Sequence, residues 1–206
     1  MLSVAGLGIA YMAWSAPRNV PGLIESTEVR HHVTAPMEAA TDARSRKAAP
    51  VLALTTYDGH SVTLGGPSER PRFVYFVKEG CPCSFDAEPL FRDLYRHLDK
   101  KVDFIAVTDA EPKAARKWAT EMSVAWPLVS DHKAHAMREY GAVSSVYGAL
   151  LDREGRIVKM WPGYSQGFLQ EMNRLMSETA GIPETPFDTK YAPKEKATGC
   201  AFAYLR

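Results

Sequence analysis

Two uninterrupted runs of apolar residues lie in the middle of the chain, RFVYFV at 72–77 and VDFIAVT at 102–108. Such runs are typical of β-strands that are buried on both faces, because no polar position alternates with the apolar ones. A shorter run, AWPLVSD at 125–131, predicts a third strand. Between the runs, apolar residues recur at helical spacing over 87–98 and 114–122. The middle of the chain therefore alternates strand and helix.

Two hairpins flank this alternating region. Segment 50–66 predicts two short strands around an Asp-Gly turn, and segment 146–161 predicts a second hairpin. Two further helices are predicted at 132–141, which ends in glycine, and at 165–178, which follows a serine suited to an N-cap. The whole pattern predicts an α/β protein, built as a three-layer sandwich of helices around a central sheet.

The two ends of the chain differ from this pattern. Residues 1–16 carry no charge and predict a hydrophobic anchor or a signal-like segment, although a helix docked on the domain is an alternative. Residues 17–48 lack periodicity and predict a linker. The folded domain is expected at 49–180, followed by a C-terminal tail at 181–206. An anchor or signal would place the domain outside the cytoplasm, in the periplasm or at the cell surface, either membrane-anchored or secreted.

Composition narrows the possible classes of protein. The 206 residues are 46% hydrophobic and 24% charged, as in a folded globular protein, and the formal net charge is +1. This charge gives no broad basic face for nucleic acid. Three cysteines are too few for a small domain held together by disulfides, and their odd number leaves at least one thiol free. This count favours a reactive thiol over a structural framework.

Two of these cysteines lie in the stretch GCPCS at 80–84. Proline is favoured at the first position of a helix, so Pro82 predicts that Cys81 is the N-cap of the helix that follows. A thiolate there faces the free N–H groups of Cys83 and Ser84 and the positive end of the helix dipole. This environment lowers the pKa of a cysteine. We therefore predict that Cys81 is a nucleophile.

From residue 49 to 178 the chain resembles the thioredoxin-fold redoxins, which include the tethered disulfide reductases of TlpA type and the AhpC/TSA peroxidases. The resemblance rests on APVLALTTYDGHSVTL, on the apolar strand that runs into GCP, and on DAEP in the next helix. It rests also on PLVSD followed by REYGAV, and on ALLDREGRIVKMWPGY. It implies a thioredoxin-like three-layer α/β/α sandwich with a mixed central sheet.

The resemblance also implies roles for individual residues. Cys81 lies eight residues before Pro89, which is the spacing of the nucleophile in the tethered reductases. Pro82 then matches the proline that follows it, and Ser84 stands where the family has its second cysteine. Ser84 is expected to donate a hydrogen bond to the Cys81 thiolate, but it cannot resolve a disulfide. Cys83 is a thiol at a position where the family usually has none.

The cysteine that resolves Cys81 stays open at this point. Residues two apart in a helix point to nearly opposite sides, so a Cys81–Cys83 disulfide requires unwinding of the first turn. Cys200 becomes the resolving cysteine if the tail folds back over the site, as in peroxidases with a C-terminal resolving cysteine. The alternatives are an inert or metal-binding Cys83, and a Cys200 that is a lone tail thiol or contacts another subunit.

Three positions depart from the families. The cis-proline that faces the cysteines in thioredoxins corresponds to Val146, which predicts an altered peptide-docking edge. The proline and the hydroxyl residue of the peroxidase motif correspond to Val74 and Lys78. An ordinary peroxidase site is therefore not expected.

We predict a thiol–disulfide oxidoreductase that uses Cys81 as nucleophile and Cys83 or Cys200 as resolving thiol. The expected partners are protein or small-molecule disulfides and thiols, peroxide, an external thiol reductant and a membrane tether, with no nucleic acid, cofactor or metal. One alternative is a peroxiredoxin-like thiol peroxidase. Another is a non-catalytic or Sco-like copper-binding module, for which His132 and His135 would be candidate ligands.

Overall fold

The computed structural model describes residues 31–98 and 100–205. Within these residues no helix has both the length and the apolar character needed to cross a membrane. The predicted anchor or signal-like segment at 1–16 lies outside the described residues.

The chain forms its elements in an alternating order. They are β1 (His31–His32), α1 (Ala35–Asp42), β2 (Leu52–Thr55), β3 (Ser61–Leu64), β4 (Arg72–Val77), α2 (Pro82–Leu98), β5 (Asp103–Thr108), α3 (Pro112–Glu121), β6 (Leu128–Ser130), α4 (His135–Tyr140), β7 (Tyr147–Leu151), β8 (Ile157–Trp161), α5 (Gln166–Ala180) and β9 (Ala197–Thr198). A short 3₁₀-helix follows at Ala203–Leu205. The strands and helices predicted between residues 50 and 178 are thus present.

The central sheet has five strands in the order β6-β5-β4-β7-β8. Strands β4, β5 and β6 run parallel, whereas β7 is antiparallel to both β4 and β8. Helical crossovers join the parallel pairs, and a tight hairpin joins the antiparallel pair β7–β8. Parallel strands need a long crossover connection, whereas antiparallel strands can be joined by a short turn. The predicted mixed sheet is confirmed.

Side chains of the central strand β4 alternate between two core clusters, one on each face of the sheet. Phe73, Tyr75 and Val77 face the cluster formed with helices α2, α3 and α5. Val74 and Phe76 face the opposite cluster, formed with α4 and the β2–β3 hairpin. Because both faces of the sheet are covered, the strand is apolar at every position from 73 to 77. The three-layer sandwich is therefore confirmed.

Segments from both ends of the chain meet beside this sandwich. Strand β1 and helix α1 lie in the segment predicted as a linker, and β9 lies in the predicted tail. Strands β1 and β9 pair antiparallel, and the other edge of β9 bridges Tyr164 through Ala197. The main chain of Ala197 both donates to and accepts from that of Tyr164, at 3.0 and 2.7 Å. This pairing sets the course of the tail toward the start of α2.

Candidate active site

Cys81 lies at the start of α2, directly after the turn that follows β4. Its carbonyl oxygen accepts the N–H of Ser84 at 3.0 Å, the first bond of the helix, so Cys81 occupies the predicted N-cap position. The residue is only 1% exposed. The nucleophile predicted from the sequence is therefore a buried thiol at a helix N-terminus.

Three groups surround the sulfur of Cys81. The hydroxyl oxygen of Ser145 lies 3.2 Å from the Sγ atom, and the backbone N–H of Cys200 donates to it, also at 3.2 Å. Cys83 is the third neighbour, and its interaction with this sulfur is the largest influence lowering the pKa of Cys81. All three cysteines are reduced in this structure, and the main chain of Cys200 contacts the Cys81 sulfur although the two residues are 119 apart in sequence.

The tail reaches this point as an extended segment paired with the loop before β7. The N–H of Ser145 donates to the carbonyl of Cys200, and the N–H of Gly199 donates to the carbonyl of Ser145, both at 3.0 Å. One residue earlier in each segment, the hydroxyls of Ser144 and Thr198 lie 2.8 Å apart. These bonds fix the tail across the mouth of the site, so the sulfur of Cys81 is covered by the protein's own chain.

Gly199 permits this close approach. A Cβ atom at this residue would lie 1.8 Å from the hydroxyl oxygen of Ser145 and 3.1 Å from the sulfur of Cys81. Real Cβ atoms do not make contacts as short as the first of these. Any larger residue at 199 therefore displaces either the tail or Ser145.

Hydrogen bonds control the ionisation of the three thiols. Those from Cys83, from the hydroxyl of Ser145 and from Cys200 outweigh burial and lower the pKa of Cys81 to about 3. The pKa of Cys83 is raised far above its usual range, first by its hydrogen bond to Cys81 and then by burial. Burial and a hydrogen bond to Cys81 raise the pKa of Cys200 to about 11, against the nearby charge of Lys78. The site therefore holds one thiolate and two thiols.

Ser84 takes a different position from the one expected. Its hydroxyl accepts the backbone N–H of Lys78 at 3.1 Å. The hydroxyl beside the Cys81 sulfur belongs to Ser145 instead. Ser84 is fully buried and ties the first turn of α2 to the end of β4.

Val146 stands where thioredoxins have a cis-proline. No peptide bond is cis among residues 31–98 and 100–205. Val146 has φ +62°, a left-handed conformation that is strained for a β-branched residue. Its N–H donates to the carbonyl of Phe76 at 2.7 Å, and its side chain is fully buried. These contacts hold the loop that presents Ser145 to the sulfur.

Lys78 and Asp109 form an ion pair at the edge of the site. The Lys78 Nζ atom lies 2.8 Å from the carboxylate, and the Lys78 ammonium sits 5.9 Å from the ring centre of Phe202. Asp109 also accepts the N–H of Glu79 at 2.9 Å. Phe202 itself is fully buried, so it anchors the tail beyond Cys200.

Sequence reasoning missed Ser145 and Gly199. Nothing in the local pattern of either residue marks it as a site residue, because each acts through a contact between distant parts of the chain. The peroxidase position Val74 is part of the core and Lys78 is held in the ion pair. No cluster of three or more His, Cys, Asp or Glu suited to a metal occurs in the described part of the chain.

The sheet, the cysteine at the start of its first crossover helix and the thiolate environment define a thioredoxin-fold redoxin of the oxidoreductase class. The AhpC/TSA family profile matches residues 46–161, more than half of the chain. The chain therefore belongs to the AhpC/TSA family.

Individual relatives agree with this assignment. The methylamine utilization protein MauD of Paracoccus versutus is 28% identical over 141 residues, which cover 66% of this chain and 69% of MauD. A structure described as thiol:disulfide interchange protein DsbE, from Chlorobium tepidum, superposes with a TM-score of 0.61 at 20% identity, covering 66% of this chain and 98% of that one. The bacterioferritin comigratory protein of Xanthomonas campestris, described as reducing alkyl peroxides, gives 0.53 at 21% identity, with 63% and 92% covered. A structure described as a thiol:disulfide interchange protein and one described as reducing alkyl peroxides therefore share the fold of this chain.

Proposed function

We propose that this protein is a thiol–disulfide oxidoreductase whose redox couple is Cys81 and Cys200. The observation that carries the proposal is the hydrogen bond from the Cys200 N–H to the Cys81 sulfur, at 3.2 Å. Cys200 is the residue whose main chain touches the reacting sulfur, and its own pKa is raised by burial and by its interaction with Cys81. The tail thus holds Cys200 beside Cys81, where a disulfide between the two can form.

Cys81 is the nucleophile of this couple. Thiolates, not thiols, attack disulfide sulfur, and Cys81 is the thiolate of the site. When the Cys81 thiolate attacks a sulfur atom of a disulfide, a new S–S bond forms and the other sulfur leaves as a thiolate. The couple is oxidised when Cys81 and Cys200 share the resulting S–S bond. An oxidant of the peroxide class would reach the same state through a sulfenic acid on Cys81 and loss of water.

Cys83 acts as a hydrogen-bond donor in this proposal. Its bond is the strongest influence lowering the pKa of Cys81, and its own pKa is raised well out of the range in which it would react. A covalent link to Cys81 would also distort the first turn of α2. We therefore assign Cys83 as a positioning residue rather than the resolving thiol.

Peptide mapping by mass spectrometry under non-reducing conditions tests the proposal. The reduced full chain is treated with one equivalent of a small disulfide or of peroxide, quenched in acid and digested. We expect a Cys81–Cys200 peptide, and its loss in Cys200→Ser. A Cys81–Cys83 link alone would contradict the choice of couple, and three thiols that stay unreacted would contradict the function.

We also propose an extracytoplasmic location and the domain boundaries given above, with the redoxin domain at 49–180 between two terminal segments. The support is the uncharged character of residues 1–16. In a bacterial host, the full chain should fractionate outside the cytoplasm, and a chain lacking residues 1–16 should remain inside. Equal distribution of the two chains would contradict the proposed location.

A further inference from the structure

The two sulfurs of the proposed couple differ in their access to solvent. Cys81 is 1% exposed, whereas Cys200 is partly exposed. The cover over Cys81 is the tail itself, which is fixed on both sides of Cys200. On one side Gly199 pairs with Ser145. On the other side the buried ring of Phe202 packs in the core cluster formed with α4 and the β2–β3 hairpin. An external thiol that approaches the docked tail therefore meets the more exposed residue, Cys200, before it meets Cys81.

We propose that substrate thiols attack the Cys200 sulfur of the oxidised couple, that Cys81 is the internal leaving group, and that the protein therefore works as a disulfide donor. This inference rests on the proposed function, since it requires a Cys81–Cys200 disulfide. It deepens that function by naming the point of attack, the direction of electron transfer and the substrate class, which is a pair of reduced thiols.

The reaction balances in two exchange steps. A substrate thiolate forms an S–S bond with Cys200, and the Cys81–Cys200 bond breaks with its electron pair on Cys81. A second substrate thiolate then attacks the substrate sulfur of this mixed disulfide, and Cys200 leaves and takes up a proton. The substrate pair loses two electrons and two protons to become a disulfide; one proton goes to Cys200 and the other to solvent, and the couple becomes one thiolate and one thiol. A small-molecule disulfide or a peroxide returns the couple to its oxidised state.

The donors around Cys81 favour departure of this sulfur over departure of Cys200. Ser145 and Cys83 are placed to stabilise negative charge on Cys81 as the bond breaks. A thiol of low pKa leaves faster in disulfide exchange, and a couple whose reduced form is stabilised is the stronger oxidant. The pKa of Cys200 is raised instead, so attack at the Cys81 sulfur would expel the poorer leaving group.

The other possible disulfide does not offer this chemistry. Cys83 is 7% exposed, so a Cys81–Cys83 bond would have both of its sulfurs behind the docked tail. A substrate thiol would then need the tail to leave before either sulfur is reached. With Cys200 in the couple, one sulfur is accessible while the tail stays in place.

The first test maps the mixed disulfide. The oxidised full chain is mixed with a monothiol, glutathione, and samples taken over time are quenched in denaturing acid and mapped without reduction. We expect glutathione on Cys200 with Cys81 free. Glutathione on Cys81 or Cys83 would overturn the inference while leaving the oxidoreductase intact. Failure to form any intramolecular disulfide would instead overturn the proposed function.

The second test uses the rate of reduction, which gives an answer even where the mixed disulfide is too short-lived to isolate. Gly199→Ala places a Cβ against the hydroxyl of Ser145, so either the tail or that hydroxyl moves away from the Cys81 sulfur. Attack at Cys200 predicts that this variant is reduced more slowly than the native chain, by about threefold or more, because the leaving sulfur loses donors. Attack at Cys81 predicts the opposite, a faster reaction once the cover is removed, and that result would overturn the inference.

Gly167→Ala is the matched control. A Cβ there meets no atom within 4 Å, and Gly167 lies in the first turn of α5 away from the cysteines. We expect its rate of reduction to equal that of the native chain. Both variants add one methyl group to a glycine, so a difference between their rates of reduction reflects the contacts at Gly199 rather than a general effect of the methyl group.

Discussion

Helix α2 carries two buried ionisable groups that respond to burial in opposite ways. Cys81 at its N-cap has a pKa lowered to about 3 by hydrogen bonds from Cys83, Ser145 and Cys200. Glu88, two turns later and fully buried, has a pKa raised by desolvation to about 7. Its Oε2 atom accepts one hydrogen bond, from the hydroxyl of Tyr75 at 2.8 Å. Its Oε1 atom has no partner among the described residues.

The difference between the two sites is the supply of donors. Burial penalises the charged form at both places, and at Cys81 hydrogen bonds aimed at the charge outweigh that penalty. The tail and the loop before β7 bring donors to Cys81. At Glu88 the hydroxyl of Tyr75 donates, while the pyrrole N–H of Trp126 is directed to the Tyr75 oxygen rather than to the carboxylate.

Glu88→Gln is expected to have the largest effect, which is a change in the free energy of unfolding. The folded-state pKa of about 7 lies above the ordinary glutamate value of 4.5, so the folded state binds the proton more tightly and native stability falls as pH rises from 4.5 through 7. The amide stays neutral and avoids this loss. We expect the variant to exceed the native chain by roughly 3 kcal/mol above pH 8 and by little near pH 4. Denaturant unfolding at the two pH values measures it.

Glu154→Gln supplies the control for that experiment. Glu154 is exposed in the β7–β8 turn, so its replacement should change stability little at either pH. A Glu88→Gln stability difference that does not grow with pH would contradict the account of the buried carboxyl.

The next largest effect is expected from Cys83→Ala, which removes the strongest donor to Cys81. The pKa of Cys81 should rise by roughly 2 units. Cys83→Ser keeps a hydroxyl donor and should restore most of the shift. The readout is the pH dependence of thiolate ultraviolet absorbance. Equal titrations of the alanine and serine variants would show that Cys83 acts by packing rather than by donation.

Ser145→Ala should have a smaller effect in the same direction. It removes the hydroxyl that lies 3.2 Å from the Cys81 sulfur, and the pKa of Cys81 should rise by about 1 unit. The control is Ser68→Ala, whose exposed hydroxyl donates to the carbonyl of Arg70 far from the cysteines. An unchanged titration in Ser145→Ala would remove Ser145 from the group of donors.

The sequence predicted what depends on local pattern. The apolar runs give the strands, helical spacing gives α2, and Pro82 places Cys81 at the N-cap. The family resemblance added the identity of the fold. These features require only neighbouring residues and the burial of a continuous sheet.

The features that the sequence could not provide depend on contacts between distant segments. Ser145 contacts the Cys81 sulfur although the two residues are 64 apart in sequence. The N–H of Cys200 contacts the same sulfur across 119 residues. The clearest of these features is Gly199, since its requirement for no side chain arises only once the tail lies against Ser145. The left-handed conformation of Val146 is also set by its surroundings, because a β-branched residue does not prefer it. No local spacing carries this information.

The most direct test of the account is a titration of Cys81 in the reduced, full-length protein. Thiolate absorbance is followed from about pH 10 down to about pH 3, with Cys81→Ser as the blank. We expect the Cys81 thiolate to persist through pH 5 and to be lost only in stronger acid, as its pKa of about 3 requires. A midpoint near the ordinary cysteine value of about 8.5 would show that the donors of the tail and the loop do not hold a thiolate.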